Sequence, residues 1–168
     1  MINIRQETEA DHKAVYAINV ATFETPAEAG LVDALRKQAD PVVSLVAEID
    51  SQVVGHILFS PVTLSGHPGI KIMGLAPMAV LPEHQRKGMG SLLVKDGIKA
   101  CVDLAIDGLV VLGHPEYYPK FGFVPSLCYG IDSEYGVPEE VFMAMELHTN
   151  SLRGKSGTIK YHSAFSEL

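Results

Sequence analysis

Cysteine is scarce in this chain: two in 168 residues, Cys101 and Cys128, and neither belongs to a Cys-x-x-Cys pair. A cysteine-based zinc site is therefore not expected. Cys101, inside a helical pattern, reads as a small buried hydrophobe. Long apolar runs are missing as well. No stretch of 18 consecutive apolar residues occurs, so no segment is expected to span a membrane. The opening Met1-Ile2-Asn3-Ile4-Arg5 lacks the apolar core of a signal peptide, and the expectation is a soluble, cytoplasmic protein. Basic residues are outnumbered, 13 Lys+Arg against 20 Asp+Glu, for a net charge of −7. That balance argues against a general nucleic-acid surface, leaves room for a local basic site, and weakly favours cationic small substrates over polyanions. Linkers, repeats and low-complexity segments are absent too. With 47% hydrophobic residues, the chain has enough apolar material for one domain, 1–168, with a sizeable core.

The periodicities that are present alternate between strand and helix. Ile2 and Ile4 alternate with polar residues in a short strand over Met1–Glu7. Thr8 with Asp11 three residues on is close to a capping box, and Val15, Ile18 and Phe23 carry the apolar stripe of a helix from about Glu9 to Thr22. A second start follows, with Thr25 as N-cap, Pro26 at the first helical position and Glu28 at the third; Leu31, Val32 and Leu35 form the inner face, and Asp40-Pro41 ends it. Val42–Ile49 and Val53–Val62 are strands joined at Asp50-Ser51, a hairpin. Ile70–Leu81 is a third long strand interrupted by Gly74 and Pro77. Ser91–Ala105 is a helix, and the wholly apolar Gly108–Gly113 fits a strand buried on both faces. Phe142–Leu147 and Thr158–Phe165 are read as further strands. The resulting order, β-α-α-β-β-β-α-β-turn-β-β, predicts an α/β mixed sheet. Its first part meanders antiparallel, and Ser91–Ala105 crosses over to a strand parallel to Ile70–Leu81.

Between that strand and that helix lies Gln85-Arg86-Lys87-Gly88-Met89-Gly90. Glycines let the backbone approach a ligand and turn with positive φ. The first N–H groups of a helix lack intrahelical partners, and the helix dipole adds partial positive charge there. Arg86 and Lys87 add formal charge. The loop is a phosphate cradle by construction. It is not a Walker A loop, because Gly-x-x-x-x-Gly-Lys-Ser/Thr is absent, nor a dinucleotide fingerprint, which needs Gly-x-Gly-x-x-Gly.

Gln85-x-x-Gly88-x-Gly90 resembles the Arg/Gln-x-x-Gly-x-Gly/Ala signature of the GNAT N-acetyltransferases. The preceding Met78-Ala79-Val80-Leu81-Pro82-Glu83 is similar to the family strand that ends in Val-x-Pro-Glu, and Tyr118-Pro119-Lys120-Phe121-Gly122-Phe123 to its Tyr-x-x-x-Gly-Phe segment. The longer string Leu112 to Phe123 resembles one bacterial subgroup of predicted acetyltransferases. The likeness covers about Met1 to Leu147. It implies a GNAT-like acyl-CoA N-acyltransferase fold, a central mixed sheet with a splayed parallel strand pair and flanking helices. It also implies acetyl-CoA as co-substrate, a small amine or a peptide or protein amine as acceptor, no metal, and a homodimer as a common family outcome.

The resemblance further implies residue roles. Backbone amides from Gln85 through Arg86, Lys87, Gly88, Met89 and Gly90 to Ser91 would hold the CoA pyrophosphate. Met78, Ala79 and Val80 would pair with the pantetheine arm as an added strand, with Pro77 marking the bulge that opens the sheet. An N–H near Met78 would face the thioester carbonyl. Tyr118 would donate to the departing sulfur; its bland alternative is a core-rim aromatic, and Tyr117 is a second candidate for the same task. An alkylamine with a pKa near ~10.4 arrives protonated and needs a base. Glu28 is placed for it, although a helix-capping job explains Glu28 equally well. Glu24, Glu48, His56 and His114 are weaker base candidates, and His84 reads as a surface histidine of the loop. A second reading keeps the fold without the chemistry, as a non-catalytic acyl-CoA-binding or sensing module.

Overall fold

Hydrophobic alternation along one long strand organises the molecule. The computed structural model describes residues 1–167. In strand β3 (Gln52–Leu64), Ile57 and Phe59 face helix α3 (Met89–Asp103), while Leu58 faces helices α1 (His12–Phe23) and α2 (Ala27–Gln38). A strand that is apolar on both faces demands cover on both. On the α3 side the approach is close: a Cβ at Gly97 would lie 2.2 Å from the Phe59 ring, so glycine is what lets helix and sheet touch. On the other side Val15, Leu31, Val32 and Leu35 pack on Val46 and Leu58.

The sheet is mixed, with order β1-β2-β3-β4-β5-β8-β6. Strands β1 (Ile2–Gln6), β2 (Val43–Ile49), β3 and β4 (Ile72–Val80) run antiparallel in sequence. Strand β5 (Gly108–Leu112) joins β4 in parallel after α3 crosses over. Strand β8 (Phe142–Glu146) returns antiparallel to β5 and carries the short β6 (Val124–Pro125). The end of β3 pairs with β9 (Gly157–Lys160), which pairs in turn with β7 (Ile131–Ser133). The expected mixed sheet holds, and so does the element order through β5; the short strands β6 and β7, between β5 and β8, were not expected.

Three local expectations are corrected. The capping box of Thr8 and Asp11 forms, but it opens a 3-10 turn, Glu9–Asp11, and α1 starts only at His12. Helix α2 starts at Ala27 with Pro26 as its cap, and Thr25 contributes its hydroxyl from just outside, to the Ala27 N–H at 3.4 Å and to the Glu28 carboxylate at 3.1 Å. Thr158–Phe165 is not one strand. Pairing ends at Lys160, and Ser163–Glu167 closes into a 3-10 turn against α2, because Tyr161 and Ala164 turn inward to be buried.

A polar cluster is buried under α2, away from the loop that caps α3. The Glu7 carboxylate accepts from Arg36 at 2.7 and 3.1 Å and from the Ser44 hydroxyl at 3.0 Å. The single hydroxyl proton of Ser44 is spent on Glu7, so the 2.8 Å contact from Ser44 to His56 Nε2 makes Nε2 the donor. The other ring nitrogen of His56, Nδ1, has no partner. Burial holds its pKa down at about 4, against an ordinary 6.5, with Glu7 only partly opposing. The unfolded chain thus binds a proton between pH 6.5 and 4 that the folded chain refuses. Stability present above pH 6.5 should be lost over that window, on the order of 3 kcal/mol. Denaturant titrations at pH 4 to 7 are expected to show this loss, and His56→Gln, which keeps a donor for Ser44 but cannot titrate, should flatten it.

Candidate active site

Strands β4 and β5 part about halfway along β4. They are paired from Ile72↔Gly108 to Leu75↔Val111 and no further. At that point β4 carries two residues, Ala76 and Pro77, opposite the single Leu58 of β3. This is the bulge that Pro77 foretold: proline has no N–H for a ladder, and the extra residue bends the strand away. Beyond the bulge β4 stays attached to β3 alone, through Ile57↔Met78, His56↔Ala79 and Gly55↔Val80.

The direction of the backbone groups in this freed edge follows from one hydrogen bond. The Leu81 N–H donates to Val54 O at 2.9 Å, toward β3. Successive residues of a strand present their polar groups to opposite sides, so Ala79 also bonds toward β3, whereas Met78 and Val80 turn theirs into the gap. Of the three residues expected on the pantetheine track, Met78 and Val80 offer their backbone to it and the buried Ala79 does not. The Val80 carbonyl is already engaged, accepting from the Thr22 hydroxyl at 3.2 Å and from Gln85 Nε2 at 2.9 Å. The Gln85 side chain is thus tied back to the strand and steers the loop instead of reaching outward.

The loop then turns twice through left-handed backbone, at Arg86 (φ 64°) and Gly88 (φ 81°), the second being the N-cap of α3. Gly88 suits that conformation because it has no Cβ. Buried Met89 pins the helix start to the core, while the N–H groups of Met89, Gly90 and Ser91 precede any intrahelical acceptor. Leu92 is the first to bond back, to Gly88 O at 3.2 Å. Arg86 and Lys87 are exposed at the tip. These amides face a cleft of about 550 Å³ whose floor includes Met78, Val80, Gly90, His84 and Tyr117. A Cβ at Gly90 would lie 3.4 Å from the Tyr117 hydroxyl and 3.7 Å from Met78 Cε, so the glycine keeps the cleft open. The Ser91 hydroxyl is bonded to the Tyr117 hydroxyl at 3.0 Å.

A second cleft, about 390 Å³, continues from the first across Met78 and His114, which line both. Tyr118, Glu28 and Pro77 line it together with Phe23 and Phe165. The two neighbouring tyrosines therefore serve different compartments: Tyr117 the loop side, Tyr118 the far side. The Tyr118 ring fits against Gly113, where a Cβ would approach to 2.5 Å, and packs edge-on to Tyr117 and Phe123. Only 7% of Tyr118 is exposed. Burial, with a smaller effect from Tyr117, pushes its phenol up to about 12, so it is a neutral O–H across ordinary pH. Its hydroxyl has no hydrogen-bond partner among the described residues.

The remaining base candidates separate by position. Glu48 is bonded to Asn3 and Arg5 on the β1–β2 side, which draws its carboxyl below the usual range. His56 is sealed in the cluster under α2. Glu24 is the exposed left-handed cap of α1. His84, read as a surface residue, is half-buried in the first cleft with an unpartnered, solvent-shielded Nδ1. Thr22 and Phe165 line the clefts without a sequence signal for it: Thr22 carries only the pattern of a helix end, and Thr158–Phe165 only that of a strand.

The acetyltransferase (GNAT) domain family matches residues 40–125, from the end of α2 through the loop to β6. The chain is 32% identical over 166 residues to the N-acetyltransferase YhbS of Escherichia coli K12, covering 98% of this chain and 99% of that one. The crystal structure of E. coli YhbS in complex with CoA superposes with a TM-score of 0.91 at 31% identity, over 98% and 92% of the two chains. A GNAT family acetyltransferase from Brucella melitensis in complex with acetyl-CoA gives a TM-score of 0.80 at 33% identity, over 98% of each. With the bulged β4, the cradle at the start of α3 and these similarities in hand, the chain belongs to the GNAT acetyltransferase family.

Proposed function

We propose that the protein moves an acetyl group from acetyl-CoA to a primary amine by direct transfer within a ternary complex. The observation that carries this reading is the parting of β4 from β5 directly beside the uncapped start of α3. It makes one continuous path from an anion cradle, along free strand edge, to a buried tyrosine. The CoA-bound YhbS and the acetyl-CoA-bound Brucella protein support the identity of the donor.

On this reading the amides of the loop from Gln85 to Ser91 hold the pyrophosphate, and Met78 and Val80 pair with the pantetheine arm. The Met78 N–H meets the thioester oxygen and stabilises the charge that develops there. Glu28, held by Thr25, takes the proton from the incoming ammonium, directly or through water. The amine nitrogen then bonds to the acyl carbon, the carbon–sulfur bond breaks with its electron pair leaving on sulfur, and the second proton of the attacking nitrogen passes through solvent to the thiolate. Tyr118 faces that sulfur. With its phenol at about 12 and a thiol reference near ~8.5, full proton transfer to the thiolate runs uphill. Tyr118 therefore acts chiefly as a fixed hydrogen-bond donor to the developing thiolate, which costs no reorganisation.

Thiol release from acetyl-CoA in the presence of an amine panel tests the reading. Tyr118→Phe should lower kcat by about 10²-fold with unchanged acetyl-CoA affinity, and unchanged turnover would remove its role. Gly90→Val, which places a branched side chain between Tyr117 and Met78, should weaken acetyl-CoA binding by about tenfold or more while the unliganded Tm moves little. Because Tyr118 stays protonated to about pH 12, the rate is expected to rise with pH through 9 as the amine deprotonates, with no decline traceable to Tyr118; an alkaline limb abolished by Tyr118→Phe would contradict the assignment.

A further inference from the structure

We propose that the acceptor is a monoamine carried on an apolar, aromatic or branched group, and that Phe165 from the last turn of the chain sets this preference. The inference rests on the acetyl-transfer reading and names the acceptor for the far side of the same site. The cleft beyond Met78 is walled by Phe23, Leu31, Leu75, Leu112 and Phe165. Its 390 Å³ falls within the range of small-molecule sites, roughly 300–1,000 Å³. Among its described lining residues Glu28 is the one carboxylate, and no lysine or arginine lines it. One carboxylate pairs with one ammonium. A polyamine would leave further cations against leucine and phenylalanine, and an amino acid would bring a carboxylate for which the lining offers no lysine or arginine and only the His114 imidazole; both are costly in an apolar wall.

Phe165 is built to be a rigid wall. Tyr135 stacks on Tyr161 at 5.6 Å, and Tyr161 packs on Phe165 at 5.0 Å. Tyr161 in turn is seated over Gly74 of β4, where a Cβ would come within 2.9 Å of its ring. The Phe165 N–H is tied to His162 O at 3.0 Å, and Ala164 beside it is buried against the α2 side of the core. A ring fixed from beneath presents apolar area with little entropy left to lose on binding, which is how an aromatic anchor discriminates.

The test compares thiol release with 2-phenylethylamine, L-phenylalanine and spermidine, alongside stabilisation of the protein by acetyl-CoA. The expected result is a kcat/KM for 2-phenylethylamine at least about tenfold above the other two. Phe165→Ala should raise KM for 2-phenylethylamine by a similar factor with kcat and the acetyl-CoA-induced Tm shift preserved, and Phe165→Leu should fall between. The Tm shift reports folding, and Phe165→Leu carries the test where the alanine variant does not fold. Preference for spermidine or L-phenylalanine, or an unchanged KM in a folded variant, overturns this inference and leaves the transfer reading intact. Stabilisation by acetyl-CoA without thiol release from any of the three overturns this inference, and the same result across the wider amine panel overturns the transfer reading as well.

Discussion

A two-for-one mismatch between neighbouring strands underlies everything else in the site. Ala76 and Pro77 of β4 face Leu58 of β3, and the cost is the parallel ladder to β5, which stops at Leu75↔Val111. An interior sheet edge is thereby left open, a feature proteins normally cover or avoid. It is tolerated here because the far side of β4 remains laddered to β3. The Val80 carbonyl, which would otherwise point into the gap unpaired, is satisfied by Thr22 and Gln85. The two side chains also join α1 and the α3 loop to the open edge, so the gap has fixed walls.

The same parting explains why the cradle is where it is. A strand that continues beyond its parallel partner delivers the chain to the sheet end with no neighbour on one side, and α3 starts there with its amides uncovered. Met89 in the core and left-handed Arg86 and Gly88 set the direction of those amides. The close packing of Gly97 on Phe59 prevents α3 from sliding. The buried Glu7–Arg36–Ser44–His56 cluster lies on the opposite face and takes no part in this geometry; its four groups satisfy one another, apart from His56 Nδ1.

Those features legible in the sequence are the contiguous ones. Pro77, the loop Gln85 to Gly90 and the helix after it form a single strand–turn–helix, and local rules of proline, glycine and helix ends are sufficient to read it. The capping box of Thr8 and Asp11 was legible for the same reason, although its 3-10 turn was not, since a cap signals a start and not the hydrogen-bond period that follows. What failed depended on tertiary contacts. Tyr161 and Phe165 have the look of a strand, and only the aromatic stack on Tyr135 and the burial of Ala164 curl them into a turn. The division of labour between Tyr117 and Tyr118 was equally invisible, because adjacent residues point apart only once Gly113 makes room for one ring and Ser91 receives the other.

That contrast bears on chemistry. On the proposed reading, the donor is held by residues 76–91, a single uninterrupted segment, whereas the acceptor cleft draws Phe23 from the end of α1, Glu28 and Leu31 from α2, Leu112 from β5 and Phe165 from the last turn. Each of these four elements is anchored by its own packing and, Glu28 apart, can change its lining residue without disturbing the β4 bulge. The donor site is constrained as a unit: moving Pro77, Gly88 or Gly90 alters backbone that several ligand contacts share. Beyond Glu28 and the β4 residues it shares with the donor site, the acceptor cleft is constrained by whether each wall still packs. A fold built this way keeps one donor while its acceptor varies, and the identity of the amine is therefore written in the side chains of separated walls, among them the ring of Phe165 propped on Tyr161.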